Sequence, residues 1–371
     1  MSPAARPGGA SAAAAAAAPA PWRFADLVGH ARPRAALLRA VCAGQVAHAY
    51  LFSGPTGVGK ERAAWSLAAA LQCAAPAADG DACGACEPCR KVAARLHPDV
   101  ALVEPDGATI KIEQVREVAA RGQFRPHEGN VRVTIFRDAE RLGPNAANAL
   151  LKTLEEPPAA SHFVLIVPSI RNVLPTILSR CQMVKFAPLG PEDLAAVVRR
   201  VRPGLGEAEA ATAAALGQGS AERALAAMDP EASAARRETI ELCERAARAK
   251  LLQPAFEVAE VFKAAGGDAA RREEVARRLE ALLTWYRDVL VTQVEAGAGG
   301  GVAGGGGVGA PVNSDLGDLL AARAHTLGQT GALAAADAVA LAVDAVRKGG
   351  NVQLAVEKML FDIRAAAGTV R

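Results

Sequence analysis

Two groups of residues in this sequence have types and spacings suited to chemistry. Cys73, Cys83, Cys86 and Cys89 are spaced C-x9-C-x2-C-x2-C. Four thiolates match the tetrahedral preference of Zn²⁺ and leave no open position for water, so the pattern predicts a structural Zn²⁺ site, not a catalytic one. The short spacings allow tight turns whose N–H groups can point at sulfur, and the longer loop AAPAADGDA closes the remaining corner. The other cysteines, Cys42, Cys181 and Cys243, are solitary. Nothing aromatic or strongly basic interleaves with the cluster, which argues against a finger that reads nucleic acid.

The second group is LFSGPTGVGKE, residues 51 to 61. Gly54, Gly59 and Lys60 fit G-x-x-x-x-G-K, with Gly57 inside the loop, directly after an apolar strand and before a helical stretch. Backbone N–H groups and the helix N-terminus form an anion cradle there, and Lys60 supplies a point charge for terminal phosphates. The next residue normally offers Mg²⁺ a hydroxyl, and here it is Glu61. A second metal ligand should be an aspartate ending a later apolar strand. The run VRVTIFRDAERL instead ends in Arg137, followed by Asp138.

The elements that must position these residues change character along the chain. From Trp22 to about Pro188, HAYLFSG, PDVALVEP, VRVTIFRD and HFVLIVPS read as strands, each followed by a helical segment. That alternation predicts a parallel sheet covered by helices, and strands apolar throughout predict burial on both faces. From PLGPEDLAAVVRRV onward the chain reads as all-α, with the boundary near 188 to 192. The last helix places Val352, Val356, Met359, Leu360 and Ile363 on one stripe, ordinary packing.

At 371 residues the chain suits two or three domains. A net charge of +3 is too small to argue for nucleic acid by itself. No run reaches the ~18 to 20 uninterrupted apolar residues of a membrane span. The Ala- and Pro-rich start lacks a secretory pattern, which predicts a disordered lead over 1–21 and a cytoplasmic protein, and in a reduced cytosol clustered cysteines suggest metal before disulfide.

HAYLFSGPTGVGK, the cysteine cluster, NALLKTLEEPP (148–158) and LPTILSRC (174–181) together resemble the bacterial clamp-loader ATPases of DNA polymerase III, the family of gamma/tau and delta-prime subunits. The resemblance covers about 22 to 230, and more loosely the C-terminal helices through TWYRDVL and the final helix. It implies a RecA-like AAA+ α/β domain over 22–190 bearing the zinc module (73–89), a small helical lid over 191–230, and an all-α C-terminal collar domain over 231–371 with a Gly-rich loop at 297–311. In ATP-hydrolysing members an Asp-Glu pair precedes NALLKTLEEPP, and register counted back from Asn148 sets those positions on Arg137 and Asp138. The metal aspartate is absent. In folds of this type the phosphate-loop strand and the Asp-Glu strand are expected to be neighbours, so Glu61 and Arg137 should pair in the volume Mg²⁺ would fill. The alternative is two unrelated solvent-facing substitutions.

Other family positions bear on hydrolysis. GQGSAERAL (217–225) resembles the segment that carries a phosphate-sensing arginine, but the matching residue is Glu222, and Arg223 is rotated ~100° around the helix. The polar sensor falls around Val167 to Ser169, with Ser169 as candidate. SRC (179–181) matches the arginine-finger motif, which makes Arg180 the residue expected to reach the γ-phosphate of a neighbouring subunit's ATP, a role suited to a planar, permanently charged fork of donors. Glu155 and Glu156 read as a solvated helix end without a catalytic role. Arg116 and Arg121 read as a solvated face in preference to a contact with DNA phosphates.

The departures imply a delta-prime-type subunit that does not hydrolyse ATP. Gly54, Gly57, Gly59 and Lys60 would form a degenerate phosphate loop whose nucleotide binding is left open, and Mg²⁺ is not expected. The implied partners are the gamma/tau and delta subunits in a hetero-oligomer, and through it the sliding clamp and primer-template DNA, with no membrane. The alternatives are an ATP-hydrolysing gamma/tau-type subunit and a nucleic-acid-binding zinc protein, which would need neither LLKTLEEPP nor LSRC.

Overall fold

The computed structural model describes residues 20–265, 269–297 and 311–368. Nearly all of the Ala/Pro-rich lead and of the Gly-rich loop lies outside the described residues. Two compact units, 1–193 and 194–371, divide the chain.

The first unit is built on five parallel strands: β1 (Ala49–Ser53), β2 (Val100–Val103), β3 (Arg132–Phe136), β4 (Ser161–Val167) and β5 (Gln182–Lys185). Their order across the sheet is β2-β3-β4-β1-β5, with Leu51 of β1 in register with Leu165 of β4 and Met183 of β5. Six helices accompany them: α1 (Ala31–Cys42), α2 (Lys60–Gln72), α3 (Glu87–Ala93), α4 (Ile112–Gly122), α5 (Pro144–Glu155) and α6 (Pro175–Leu178). Every residue of β1 is buried, as are residues 133–136 of β3, so both faces of the sheet are covered as the apolar runs predict. One face packs with α2 through Trp65, Leu67 and Ala68, the other with α4 and α5 through Val115, Leu150 and Leu154.

This is the parallel, helix-covered α/β sheet that the sequence predicts, with two differences from the sequence reading. β5 was not foreseen: it is a four-residue edge strand in which only Val184 is buried, so it carries no apolar run. Strands β1 and β3 are not neighbours, because β4 lies between them, a separation of two strand spacings or ~10 Å. Any meeting of the phosphate loop with the end of β3 therefore has to be made by long side chains reaching across β4.

The second unit is helical, with α7 (Pro191–Val201) straddling the division and α8 (Glu207–Gly217), α9 (Ala221–Ala226), α10 (Pro230–Arg248), α11 (Gln253–Ala265), α12 (Ala269–Gly297), α13 (Gly317–Thr326), α14 (Gln329–Arg347) and α15 (Val352–Ala366) following. The stripe expected on α15 is buried in full. By length and composition α14 would pass as a membrane span, although Asp337 and Asp344 interrupt it, and its Ala335, Val339, Val343 and Val346 line the core of this unit.

That core contains charge. Glu244 of α10 accepts from Trp285 Nε1 at 3.0 Å and Tyr286 Oη at 2.8 Å, and its other oxygen lies 3.0 Å from Arg323 Nε. The arginine contact is an ion pair without hydrogen-bond alignment, since Glu244 Oε2 and Arg323 Nε both lack an aligned partner among the described residues. Burial, followed by the Glu244 charge, pushes the Tyr286 phenol well above its ordinary range. Asp288 accepts from both Asn313 N and Asn313 Nδ2 at 2.7 Å. Arg364 of α15 donates to the carbonyls of Ala246, Ala249, Lys250 and Leu251, at the C-terminal end of α10 and in the segment just beyond it. Glu244→Ala strands the Arg323 charge and two buried donors, and it should destabilise this unit by about 3–5 kcal/mol. Chemical denaturation followed by Trp285 fluorescence measures this, and a loss below ~1 kcal/mol would show that the cluster is not a coupled unit.

Candidate functional site

The phosphate loop and the end of β3 follow C-terminal ends of parallel strands, the edge where open α/β sheets gather their ligands, whereas Arg180 stands two residues before β5, at the opposite edge of the sheet. After β1 the chain turns through Gly54, where an added Cβ would collide with the carbonyl oxygen of Phe186, and enters α2 through Gly59 at φ 103°. Both positions need glycine. Lys60 is buried and folds back over the loop, donating from Nζ to the carbonyls of Gly54 and, at 2.6 Å, Pro55.

Glu61 and Arg137 do meet. Arg137 Nη2 lies 2.6 Å from Glu61 Oε1, across the intervening β4, and the other Arg137 terminal nitrogen donates to Glu104. Burial pulls the Arg137 pKa down, but hydrogen bonding to Glu61 and the charges of Glu61 and Glu104 outweigh it, so the net direction is up. Glu61 Oε1 also accepts from Trp65 Nε1 at 3.2 Å and lies 3.1 Å from Arg95 Nη2. The Arg95 guanidinium sits 5.1 Å from the centre of the Trp65 ring. Glu61 is thus a hub for two arginines and an indole, with its side chain and that of Arg137 each 31% exposed.

Sequence reasoning found the pair and missed the rest of the network. Trp65 stands at i+4 from Glu61, so helical spacing could have found it. Arg95 has left-handed backbone just beyond α3, and nothing local in the sequence points it at Glu61.

The remaining candidates are distributed as follows. Ser169 is half-buried and caps the turn at 170–172 by accepting from Arg171 N, a local structural duty. Arg180 is half-buried: Nη1 donates to Thr176 O at 3.0 Å and Ser179 Oγ at 3.2 Å, and Nη2 lies 2.7 Å from Glu155 Oε1. Glu156 is exposed, as is Arg116, and Arg121 pairs with Glu117 one turn earlier on α4. In the second unit Glu222 is exposed, and Arg223 is directed toward Glu280 of α12 at 3.7 Å.

The cysteines converge. The sulfurs of Cys73, Cys83, Cys86 and Cys89 all lie within 4.8 Å of one another, and Cys73 and Cys86 are 3.9 Å apart. Zn–S bonds of ~2.3 Å in a tetrahedron require sulfurs ~3.8 Å apart, so the set fits Zn²⁺. Cys83 N donates to Cys73 Sγ at 3.3 Å and Cys86 N to Cys83 Sγ at 3.4 Å. N–H groups of Ala85 and then Cys86 lower the Cys83 thiol to about 6, whereas burial pushes Cys89 up. Buried Asp81 accepts from Phe24 N, Ala25 N and Ala82 N, which ties the module to the start of the domain.

With this geometry in place, the family described as "DNA polymerase III, delta subunit" matches residues 29–190. The chain is 45% identical to DNA polymerase III subunit delta' of Pseudomonas aeruginosa over 139 residues, 37% of this chain and 42% of that one. It is 38% identical to the delta' subunit of Bacillus subtilis over 150 residues, 40% and 45% of the two chains. It is also 38% identical to the gamma/tau subunit of Mycobacterium tuberculosis over 183 residues, 49% of this chain and 31% of that one. Each alignment spans less than half of the relative's own length.

Two outcomes follow from the site. Purified protein should carry about one Zn²⁺ per chain, and Cys86→Ser with Cys89→Ser should remove it and lower the melting temperature; native protein free of metal by elemental analysis would contradict the assignment. Glu61→Thr alone leaves the Arg137 charge where a dication would sit, and Arg137→Asp alone places two carboxylates together. The double change should therefore raise Mg²⁺-dependent ATP affinity more than the two single changes combined, in a double-mutant cycle by calorimetry. Additive effects would mean that the two residues do not act as a pair.

Proposed function

We propose that this chain, whose residues 29–190 match the family described as "DNA polymerase III, delta subunit", is a clamp-loader subunit of the delta-prime type: it does not hydrolyse ATP itself and supplies Arg180 to the ATP site of a neighbouring subunit. The observation that carries this reading is the Glu61–Arg137 ion pair at 2.6 Å. Phosphoryl transfer in this class depends on Mg²⁺ bridging the terminal phosphates, held by a hydroxyl and an aspartate. Here those two positions hold an acid and a base that satisfy each other. Arg223, directed at Glu280, and Glu222 beside it are consistent with the loss of a phosphate-sensing arginine.

In this reading the phosphate loop of Gly54, Gly57, Gly59 and Lys60 is a vestige that keeps its conformation through Lys60 and the loop carbonyls. The four cysteines hold a structural Zn²⁺, α7 to α9 form the lid, and α10 to α15 form a collar domain that assembles with gamma/tau and delta subunits. Through that hetero-oligomer the protein takes part in placing the sliding clamp on primer-template DNA, in the cytoplasm. An arginine delivered in trans is worth ~10³ or more in related phosphoryl transfers, which gives a chain without its own hydrolysis a direct part in the reaction.

The test is reconstitution. Arg180→Ala should reduce DNA- and clamp-stimulated ATP hydrolysis by the assembly, partially in total turnover because only one site among several loses its finger. Unchanged turnover and clamp loading would refute the role of Arg180. The gamma/tau relative at 38% identity makes hydrolysis by this chain the competing reading, and Mg²⁺-dependent turnover by the purified chain above background would favour it.

A further inference from the structure

Glu155 is the last residue of α5, where an acid is unfavourable: the C-terminal end of a helix carries partial negative charge and prefers a cation. It is also half-exposed and next to the buried Leu154, so its backbone is fixed while its carboxylate remains free to choose a partner. The partner it has is Arg180, at 2.7 Å from Nη2. The other terminal nitrogen is held by Thr176 O and Ser179 Oγ. Both ends of the guanidinium fork, the donors that a phosphoryl group would need, are engaged within the same chain. Leu154 and Ile177 belong to one apolar cluster, which fixes the end of α5 against α6 and keeps acid and base in reach of each other.

We propose that Glu155 is an intramolecular counter-ion that competes with a neighbouring subunit's phosphate for Arg180, so that the arginine acts in trans only when it leaves Glu155. The inference rests on the reading of Arg180 given above. The competition is between one carboxylate and the more highly charged terminal phosphates of a nucleotide, so the phosphate wins when the neighbouring subunit brings it within reach and Glu155 wins otherwise. Glu155 is a positioning residue that raises the barrier to idle hydrolysis. Because the two side chains are 34% and 48% exposed, the hold is weak and screened by salt, and its effect amounts to a few-fold in rate and no more.

The experiment compares assemblies reconstituted with wild-type chain, Glu155→Gln, Glu155→Asp, Arg180→Ala and the double variant Glu155→Gln/Arg180→Ala. Turnover of ATP is measured without DNA or clamp, and with both. Glu155→Gln keeps the shape and removes the charge; it should raise unstimulated turnover about two- to five-fold while leaving stimulated turnover close to wild type. Glu155→Asp should restore low unstimulated turnover at least in part. In the Arg180→Ala background Glu155→Gln should have no effect, because the competing group is gone, an epistasis that a merely structural glutamate would not produce. The proposal is overturned if Glu155→Gln leaves unstimulated turnover unchanged or lower, or if the rise persists without Arg180. If Arg180→Ala itself leaves stimulated turnover at the wild-type level, the finger assignment fails, and the counter-ion role falls with it.

Discussion

A single oxygen, Glu61 Oε1, is the point on which the phosphate-loop side of the first unit turns. It faces Arg137 from the end of β3, Arg95 from beyond α3 and the indole of Trp65 from its own helix. A carboxylate can accept several donors and an arginine can serve more than one acid, so the network is satisfied only as a whole. Its geometry is dictated by the sheet order. With β4 between β1 and β3, only side chains as long as glutamate and arginine can close the gap, and a threonine with an aspartate could do so only through an ion between them. Exchange of a hydroxyl and a carboxylate for a glutamate and an arginine thus replaces a metal bridge by a direct one.

Much of this was legible in the sequence, and the reasons differ from case to case. Strands β1, β3 and β4 announce themselves because both of their faces are buried and their apolar runs are continuous, and β2, an edge strand only partly buried, is still legible because all four of its residues are apolar. β5 does not, because an edge strand with one buried residue has the composition of a loop. The cysteine site was readable because ligand number and spacing are local properties. The Glu61–Arg137 pair was readable through register alone, and the argument of strand adjacency used for it was wrong. Arg95, Glu104 and the Glu155–Arg180 contact lay beyond sequence reasoning, since each depends on where two separate loops or helix ends come to rest. Glu155 in particular looks like a solvated helix end until its partner is seen.

The second unit shows the opposite relation between motif and role. TWYRDVL reads as a family mark, and in the structure Trp285, Tyr286 and Asp288 are buried polar anchors. A buried charge that loses its partner costs more than the pair ever gains, which constrains such residues strongly without any chemistry at the surface. Conserving Glu244 and Arg323 together would follow from that asymmetry alone.

The Arg364 contacts with the end of α10 have a consequence in time. The carbonyls of Ala246, Ala249, Lys250 and Leu251 accept from a guanidinium more than a hundred residues later in the chain. During synthesis α10 emerges well before α15, so its C-terminal end takes these partners only late. In the first unit every strand has been made by residue 185, and the sheet can close while the helical half is still being added, in keeping with the tendency of N-terminal domains to fold first. The ribosome thus delivers a finished phosphate-loop domain attached to helices that still await their last residue of consequence.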